Sequence, residues 1–200
     1  MDERAKWENR YQQSREFFYG REPSAFLVRS LELLPGPGRC LDIGGGEGRN
    51  AVFLASRGWH VTMVDVAAAG VARARAAARQ RGVPVAMAVG DTAALPLAIA
   101  PSSLDLVLVV NYHDRDVVGA AGGWLRPNGA LLVEGFAGEQ LGRSSGGPSD
   151  PAHLWHANEL LELAAGLRVV WYEDRLVVGD DNPRHRGEKW VVRMVARRQP

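Results

Sequence analysis

The sequence has one cysteine, Cys40, and two lysines against twenty-two arginines in 200 residues. A single thiol forms no internal disulfide and no multi-thiolate metal site, so a reducing cytoplasmic setting is expected. Cys40 lies in an apolar stretch and is expected to be a small core residue. No apolar run approaches the ~20 residues of a membrane span, and the charged start (Asp2, Glu3, Arg4, Lys6) is not a signal peptide. The formal net charge is +1, split as +3 over residues 1–100 and −2 over 101–200. The arginines are scattered, with no basic stripe for nucleic acid and no like-charge block of a disordered tail. His153, His156 and His185 have no fixed ligand spacing, so no metal site is expected.

What is present is the composition of one enzyme-sized globular domain, 46% hydrophobic and 24% charged. Residues 41–50, Leu-Asp-Ile-Gly-Gly-Gly-Glu-Gly-Arg-Asn, run from an apolar strand through a glycine turn into an apolar helical stretch, Asn50–Ala55. Such a turn lets a ligand approach the backbone, with the free N–H groups of the first helical turn facing its polar end. A dinucleotide fingerprint requires Gly-x-Gly-x-x-Gly. Here Gly44, Gly46 and Gly48 give Gly-x-Gly-x-Gly, and Arg49 stands where the third dinucleotide glycine belongs.

Acidic residues recur at strand ends. His60–Asp65 is an apolar strand ending in a carboxylate about twenty residues past the glycines, a position suited to ribose hydroxyls. Val85–Val89 is another, closed by Gly90-Asp91-Thr92. Asp42, Asp65 and Asp91 thus fall near the carboxyl ends of three successive strands, where ligands bind in open α/β sheets. Ala67–Arg81 predicts a helix ending at Gly82, and Leu104–Val110 a strand buried on both faces. Asp116 is expected to cap a helix running through Leu125, before the Arg126-Pro127-Asn128-Gly129 turn. Ala130–Phe136 is the next strand, Ala137–His156 a long loop and Asn158–Ala165 a short helix. Leu167–Val178 and Trp190–Ala196 are strands, expected as an antiparallel hairpin around Gly179–Glu188. Trp171 and Trp190 are assigned to the core. Trp7 and Tyr11, four apart on a helix, either pack on the sheet or close a pocket.

The glycine turn after Asp42 resembles motif I of the class I methyltransferases, and the β-α order and closing hairpin are similar across nearly the whole chain. Within that superfamily, Gly46–Ala55 with Gly58 and Val61–Asp65 resembles the tellurite-resistance and small-molecule methyltransferase group. The front end is similar too: Trp7, Arg10, Tyr11, then Phe18-Tyr19-Gly20-Arg21-Glu22-Pro23. Relatives often carry an aromatic-Leu-His-Arg string after the fourth strand, whereas this chain has Tyr112-His113-Asp114-Arg115. The resemblance implies an α/β, Rossmann-like, doubly wound and mostly parallel seven-stranded sheet with a C-terminal antiparallel hairpin. It implies one domain over residues 1–200, with a helical lid region (1–38) and a core (39–200).

The function implied is transfer of a methyl group from S-adenosylmethionine to a small molecule in the cytoplasm, without nucleic-acid or membrane partners. The cofactor would be held by Asp42, Gly44, Gly45, Gly46, Gly48, Asn50, Asp65, Val66, Asp91, Thr92 and Asn111. Candidates near the chemistry are His113, a base for an oxygen or nitrogen nucleophile, Tyr19, and Arg115, an anion binder or a partner of Asp114 or Asp116. Tyr19 and Arg21 are expected to face the substrate. Glu134 either reaches the pocket or satisfies a backbone group. An NAD(P)-linked oxidoreductase is disfavoured by the glycine spacing and the lack of a Tyr-x-x-x-Lys pair. A binding protein without catalysis has the same sequence pattern. Acceptor identity and oligomeric state are not encoded legibly.

Overall fold

The chain's structure, a computed structural model, describes residues 2–92, 99–178 and 187–200. Strands β1 (Arg39–Ile43), β2 (His60–Asp65), β3 (Val85–Val89), β4 (Leu104–Val110), β5 (Leu125–Phe136), β6 (Arg168–Val178) and β7 (Glu188–Arg197) form one sheet. Its order is β3-β2-β1-β4-β5-β7-β6. The first five strands pair in parallel, and β7 runs antiparallel to both β5 and β6. This is the expected Rossmann-like sheet with its antiparallel C-terminal pair. The tip of that pair, with His185, lies outside the described residues.

Helices α1 (Glu3–Gln13), α2 (Ala25–Arg29), α3 (Arg49–Ala55), α4 (Ala68–Arg81), α5 (Arg115–Trp124) and α6 (Glu159–Leu163) complete the fold. Alternate residues of the central strands feed two buried layers. Cys40, Met63, Leu106 and Leu108 join α3 and α4 on one face. Ile43, Val64, Val107, Val109 and Val133 join α5 and α6 on the other. Strands covered on both faces have no polar side to show, which is why Leu106–Val110 of β4 is a continuous apolar run. The described helices include none long and apolar enough to cross a membrane.

Local chemistry sets the ends. Gly82 closes α4 in the left-handed conformation at φ 70°. Three expectations shift. The cap of α5 is Asp114, whose carboxylate accepts the Val117 N–H, not Asp116. Trp171 is 47% exposed because β6 is an edge strand, whereas Cys40 is buried as expected. The long loop is partly ordered by 3-10 turns at Gly138–Gln140 and Pro151–His153 and by a bridge between Ala137 and Trp155. The order of the strands reverses between β1 and β4, which leaves a crevice at their carboxyl ends.

Candidate active site

The glycine turn occupies that crevice. Gly44 and Gly45 both donate their N–H to the Val64 carbonyl at 2.9 and 3.2 Å, tying the turn to β2. A Cβ on Gly44 would stand 2.5 Å from the Tyr112 ring, and one on Gly45 would meet Met63 beneath the turn. Gly46 (φ 55°) has the Tyr11 hydroxyl 2.6 Å from its Cβ position. Gly48 (φ 79°) faces Ala74 of α4 instead, so it serves helix packing.

Asp65, 7% exposed, closes the turn from the other side. One carboxylate oxygen accepts Gly46 N–H at 2.8 Å and the other Ala67 N–H at 2.9 Å. Burial raises its pKa, opposed by those two N–H donors. Asp42 is deeper, 1% exposed, and its Oδ2 has no hydrogen-bond partner among the described residues. Burial, then the neighbouring Asp65 charge, pushes its carboxyl up to about 7, against Arg49 and the Ala51 N–H.

Beyond β3 and β4, Thr92, Tyr112 and Asp114 share one hydrogen-bonded cluster. The Thr92 hydroxyl contacts the Tyr112 hydroxyl and reaches Asp114 at 2.9 Å, and Tyr112 reaches the same carboxylate at 3.2 Å. Burial, aided by the Asp114 charge, pushes the Tyr112 phenol up to about 12, so it stays protonated. Asn111 turns the chain at φ 55°, a conformation asparagine tolerates, and donates its N–H to the Glu134 carbonyl at 2.8 Å. The His113 ring packs 4.1 Å from Trp155, and burial lowers its pKa, so the imidazole is neutral near pH 7. Its Nε2 is buried without a hydrogen-bond partner among the described residues.

The N-terminal segment covers the crevice. Glu8 accepts the Ala69 N–H at 3.0 Å at the start of α4, and Arg73 donates to the Ser14 and Glu16 carbonyls. Arg73 also pairs with Glu47 of the glycine turn at 2.8 Å. Trp7 stacks on Tyr11 with centroids 5.6 Å apart, and Phe18 meets Tyr19 edge-on at 4.8 Å.

These elements enclose a cavity of 760 Å³. Its wall brings together Asp42, Gly44, Gly45, Gly46, Asn50, Asp65, Val66, Asp91, Thr92, Asn111, His113 and Tyr19. Gly48 and Arg115 are not brought to it: Gly48 faces α4, and Arg115 pairs with Glu159 of α6. Arg21 also points elsewhere, donating to Gln80 at 2.9 Å and lying over Phe17. Glu134 takes neither expected role: it pairs with buried Arg193 at 2.7 Å and accepts from Ser24. The wall adds Trp7, Arg10, Tyr11, Phe18, Tyr112 and Trp155. Three of these, Trp7, Tyr11 and Phe18, belong to the aromatic run ahead of β1, and Glu47, the clasp beneath them, had no local signal. The described residues contain no cluster of three metal-ligating side chains.

Residues 40–129 match the family described as a methyltransferase domain. Such domains use S-adenosylmethionine in general. Two curated relatives are similar to part of it. The ribosomal RNA small subunit methyltransferase C of Alcanivorax borkumensis is 32% identical over 58% of this chain and 39% of its own length. The tRNA 5-carboxymethoxyuridine methyltransferase of Escherichia coli K12 is 36% identical over 51% of this chain and 41% of its own. The chain thus spans about two fifths of the curated relatives it matches. Among solved structures, one from work on disulfide-to-thioacetal conversion in echinomycin biosynthesis superposes with a TM-score of 0.74 at 19% identity. It covers 98% of this chain and 92% of its own. TehB from Haemophilus influenzae gives 0.70 at 17%, covering 88% of this chain and 63% of its own. At these identities the likeness is one of fold, an α/β Rossmann-like sheet.

Proposed function

We propose that this methyltransferase domain transfers a methyl group from S-adenosylmethionine to a small-molecule acceptor inside the cavity. The carrying observation is that the glycine turn, Asp65, the Asp91-Thr92 strand end and the aromatic N-terminal segment line one enclosed space. The residues fit the donor. The glycine backbone itself lines the cavity, and Asp42 presents a buried oxygen with no partner among the described residues. Asp65 would hold the ribose hydroxyls, since each of its oxygens accepts only one backbone N–H and keeps a free lone pair. Val66, Asp91 and Thr92 would border the adenine, and the glycine turn, Asn50 and Asn111 the amino-acid end.

Bound S-adenosylmethionine supplies a methyl carbon already activated by the sulfonium charge. The protein's task is then alignment and exclusion of water, and positioning of this kind supplies roughly 7–11 kcal/mol when geometry is good. Trp7, Tyr11, Phe18 and Tyr19 provide an apolar roof for it. The neutral imidazole of His113 is in the protonation state that accepts a proton from a hydroxyl or amine acceptor. A soft acceptor, such as a thiolate or the metalloid oxyanion class suggested by the likeness to the tellurite-resistance group, needs no base.

An RNA acceptor is the second reading, favoured by the names of the two curated relatives. The near-neutral charge and mixed-sign rim, with Asp2, Glu3 and Asp150 beside Arg4 and Lys6, favour the small molecule. Incubation with isotope-labelled S-adenosylmethionine separates the readings. Label in thiols, phenols or tellurite, with none in total tRNA or ribosomal RNA, supports the proposal, and label in RNA alone replaces it. Stabilisation by NAD and not by S-adenosylhomocysteine rejects the methyltransferase reading. Donor binding with no transfer to any acceptor leaves a binding protein. Mass action sets the expected shift at about 2.7 kcal/mol for a hundredfold ligand excess over Kd.

A further inference from the structure

Arg10 lines the cavity together with Arg4, Lys6 and Arg49, and the proposed function gives it no role. Its guanidinium carbon lies 4.6 Å from the Trp7 ring centroid and 5.0 Å from that of Phe18. The two rings meet edge-on at 6.3 Å and 85°, so the guanidinium is held between them. Among the described residues no carboxylate pairs with it, and its side-chain N–H groups donate to no protein acceptor. The other cations of the wall differ: Lys6 pairs with Glu3, Arg49 donates to the Glu22 carbonyl at 3.4 Å and lies over Tyr19, and Arg4 is exposed.

A solvated surface arginine gains nothing from this arrangement, because its charge is best served by water. Contact with the two rings holds the guanidinium at the cavity wall, while its five N–H donors have no protein acceptor among the described residues. The side chain is half-buried and already ordered, so little rotamer entropy remains to be lost when an acceptor arrives. A planar donor edge of this kind matches the two oxygens of a carboxylate or similar oxyanion.

We propose that Arg10 is the anion-binding residue of this cavity, receiving a carboxylate or comparable oxyanion on the N–H donors of its guanidinium. The inference rests on the reading of the cavity as a donor and acceptor site. Two sources present this chemistry, the amino-acid carboxylate of the donor and an anionic group on the acceptor.

The test uses the full chain and its Arg10→Ala and Arg10→Lys variants, with calorimetric binding of S-adenosylhomocysteine and of 5′-methylthioadenosine, which lacks the amino-acid end. Melting of the S-adenosylhomocysteine-saturated protein is then followed with benzoate or sulfate. If the donor's carboxylate is the ligand, Arg10→Ala weakens S-adenosylhomocysteine about 10- to 100-fold, the scale of hydrogen bonds to a charged group, and leaves methylthioadenosine unchanged. If the acceptor supplies the anion, both nucleosides bind unchanged. Benzoate or sulfate then stabilises the saturated parent protein but not Arg10→Ala. Arg10→Lys keeps charge without the flat edge and restores only part of either effect. Unchanged affinities together with no anion-dependent stabilisation overturn the inference. Failure of the parent protein to bind either nucleoside instead overturns the proposed function.

Discussion

The carboxylate of Glu47, inside the glycine turn, accepts the backbone N–H of Phe18 at 2.5 Å. The turn is thereby fastened to the segment that roofs it, and Arg73 reinforces the contact from α4. Glycine turn and cover are one hydrogen-bonded unit.

Removing the clasp is expected to release the cover before it unfolds the sheet. Glu47→Ala leaves Arg73 without its carboxylate and Phe18 N–H without its acceptor. Loss of one partner of a hydrogen-bonded charge costs about 1–3 kcal/mol. Limited trypsin digestion then cuts at Arg10, Arg15 or Arg21 faster than in the parent protein, while the core fragment from Arg39 onward persists. Equal cleavage rates would show that Glu8 and Arg73 hold the segment without Glu47.

Asp42 makes stability depend on pH in an unusual direction. Its carboxyl, near 3.8 in the unfolded chain, rises to about 7 when folded. The folded state therefore binds the proton more tightly, and the stability of the neutral form is complete below about pH 4. That stability is lost progressively as pH rises from 4 to 7 and stays lost above. Asp42→Asn removes the titration. The variant is expected to match the parent protein at pH 4 and exceed it at pH 8, by an upper limit of about 4 kcal/mol. Denaturant unfolding at the two pH values measures this, and a constant difference between the proteins contradicts it.

How much of this was legible depended on how local the cause is. The glycine turn, Asp42, Asp65 and the β3 end were readable because strand ends and turns are set within a few residues. The cover's seat was not, because Glu47 and Phe18 are 29 residues apart and Arg73 meets Ser14 across 59. Arg115 failed as a site residue for a one-turn reason. Capping by Asp114 rather than Asp116 makes Arg115 the first residue of α5, facing α6. Trp171 misled because strand patterning marks a residue for one face without telling whether a helix covers that face.

Gly46 and Tyr11 are expected to be coupled. Gly46→Ala places its Cβ 2.6 Å from the Tyr11 hydroxyl, in a backbone conformation that costs a non-glycine residue roughly 1–2 kcal/mol. Tyr11→Phe removes the clashing oxygen, and the nearest remaining ring atom, Cζ, stands at 3.4 Å. The double variant should recover part of the lost stability, leaving an interaction term of about 0.5–3 kcal/mol in the mutant cycle. Strict additivity would mean that α1 shifts to accommodate the methyl group.

Tyr19 and Arg21 are adjacent to the same glycine but are expected to behave differently. Tyr19 lines the cavity and packs on Phe18 and Trp7 at 4.8 and 6.3 Å. Arg21 lies over Phe17 at 4.4 Å and donates to Gln80 on α4. Exposed pairs of that kind contribute little, so Arg21→Ala should leave turnover and melting temperature close to the parent values. Tyr19→Ala removes part of the apolar roof, admits water and loosens alignment. Misplacement of this order costs roughly 10- to 100-fold in rate. The readout is kcat per folded molecule with any acceptor that the labelling assay yields, alongside the melting temperature. A fall in melting temperature with kcat intact would reduce Tyr19 to packing, and a large loss of kcat in Arg21→Ala would place the acceptor path outside the cavity wall.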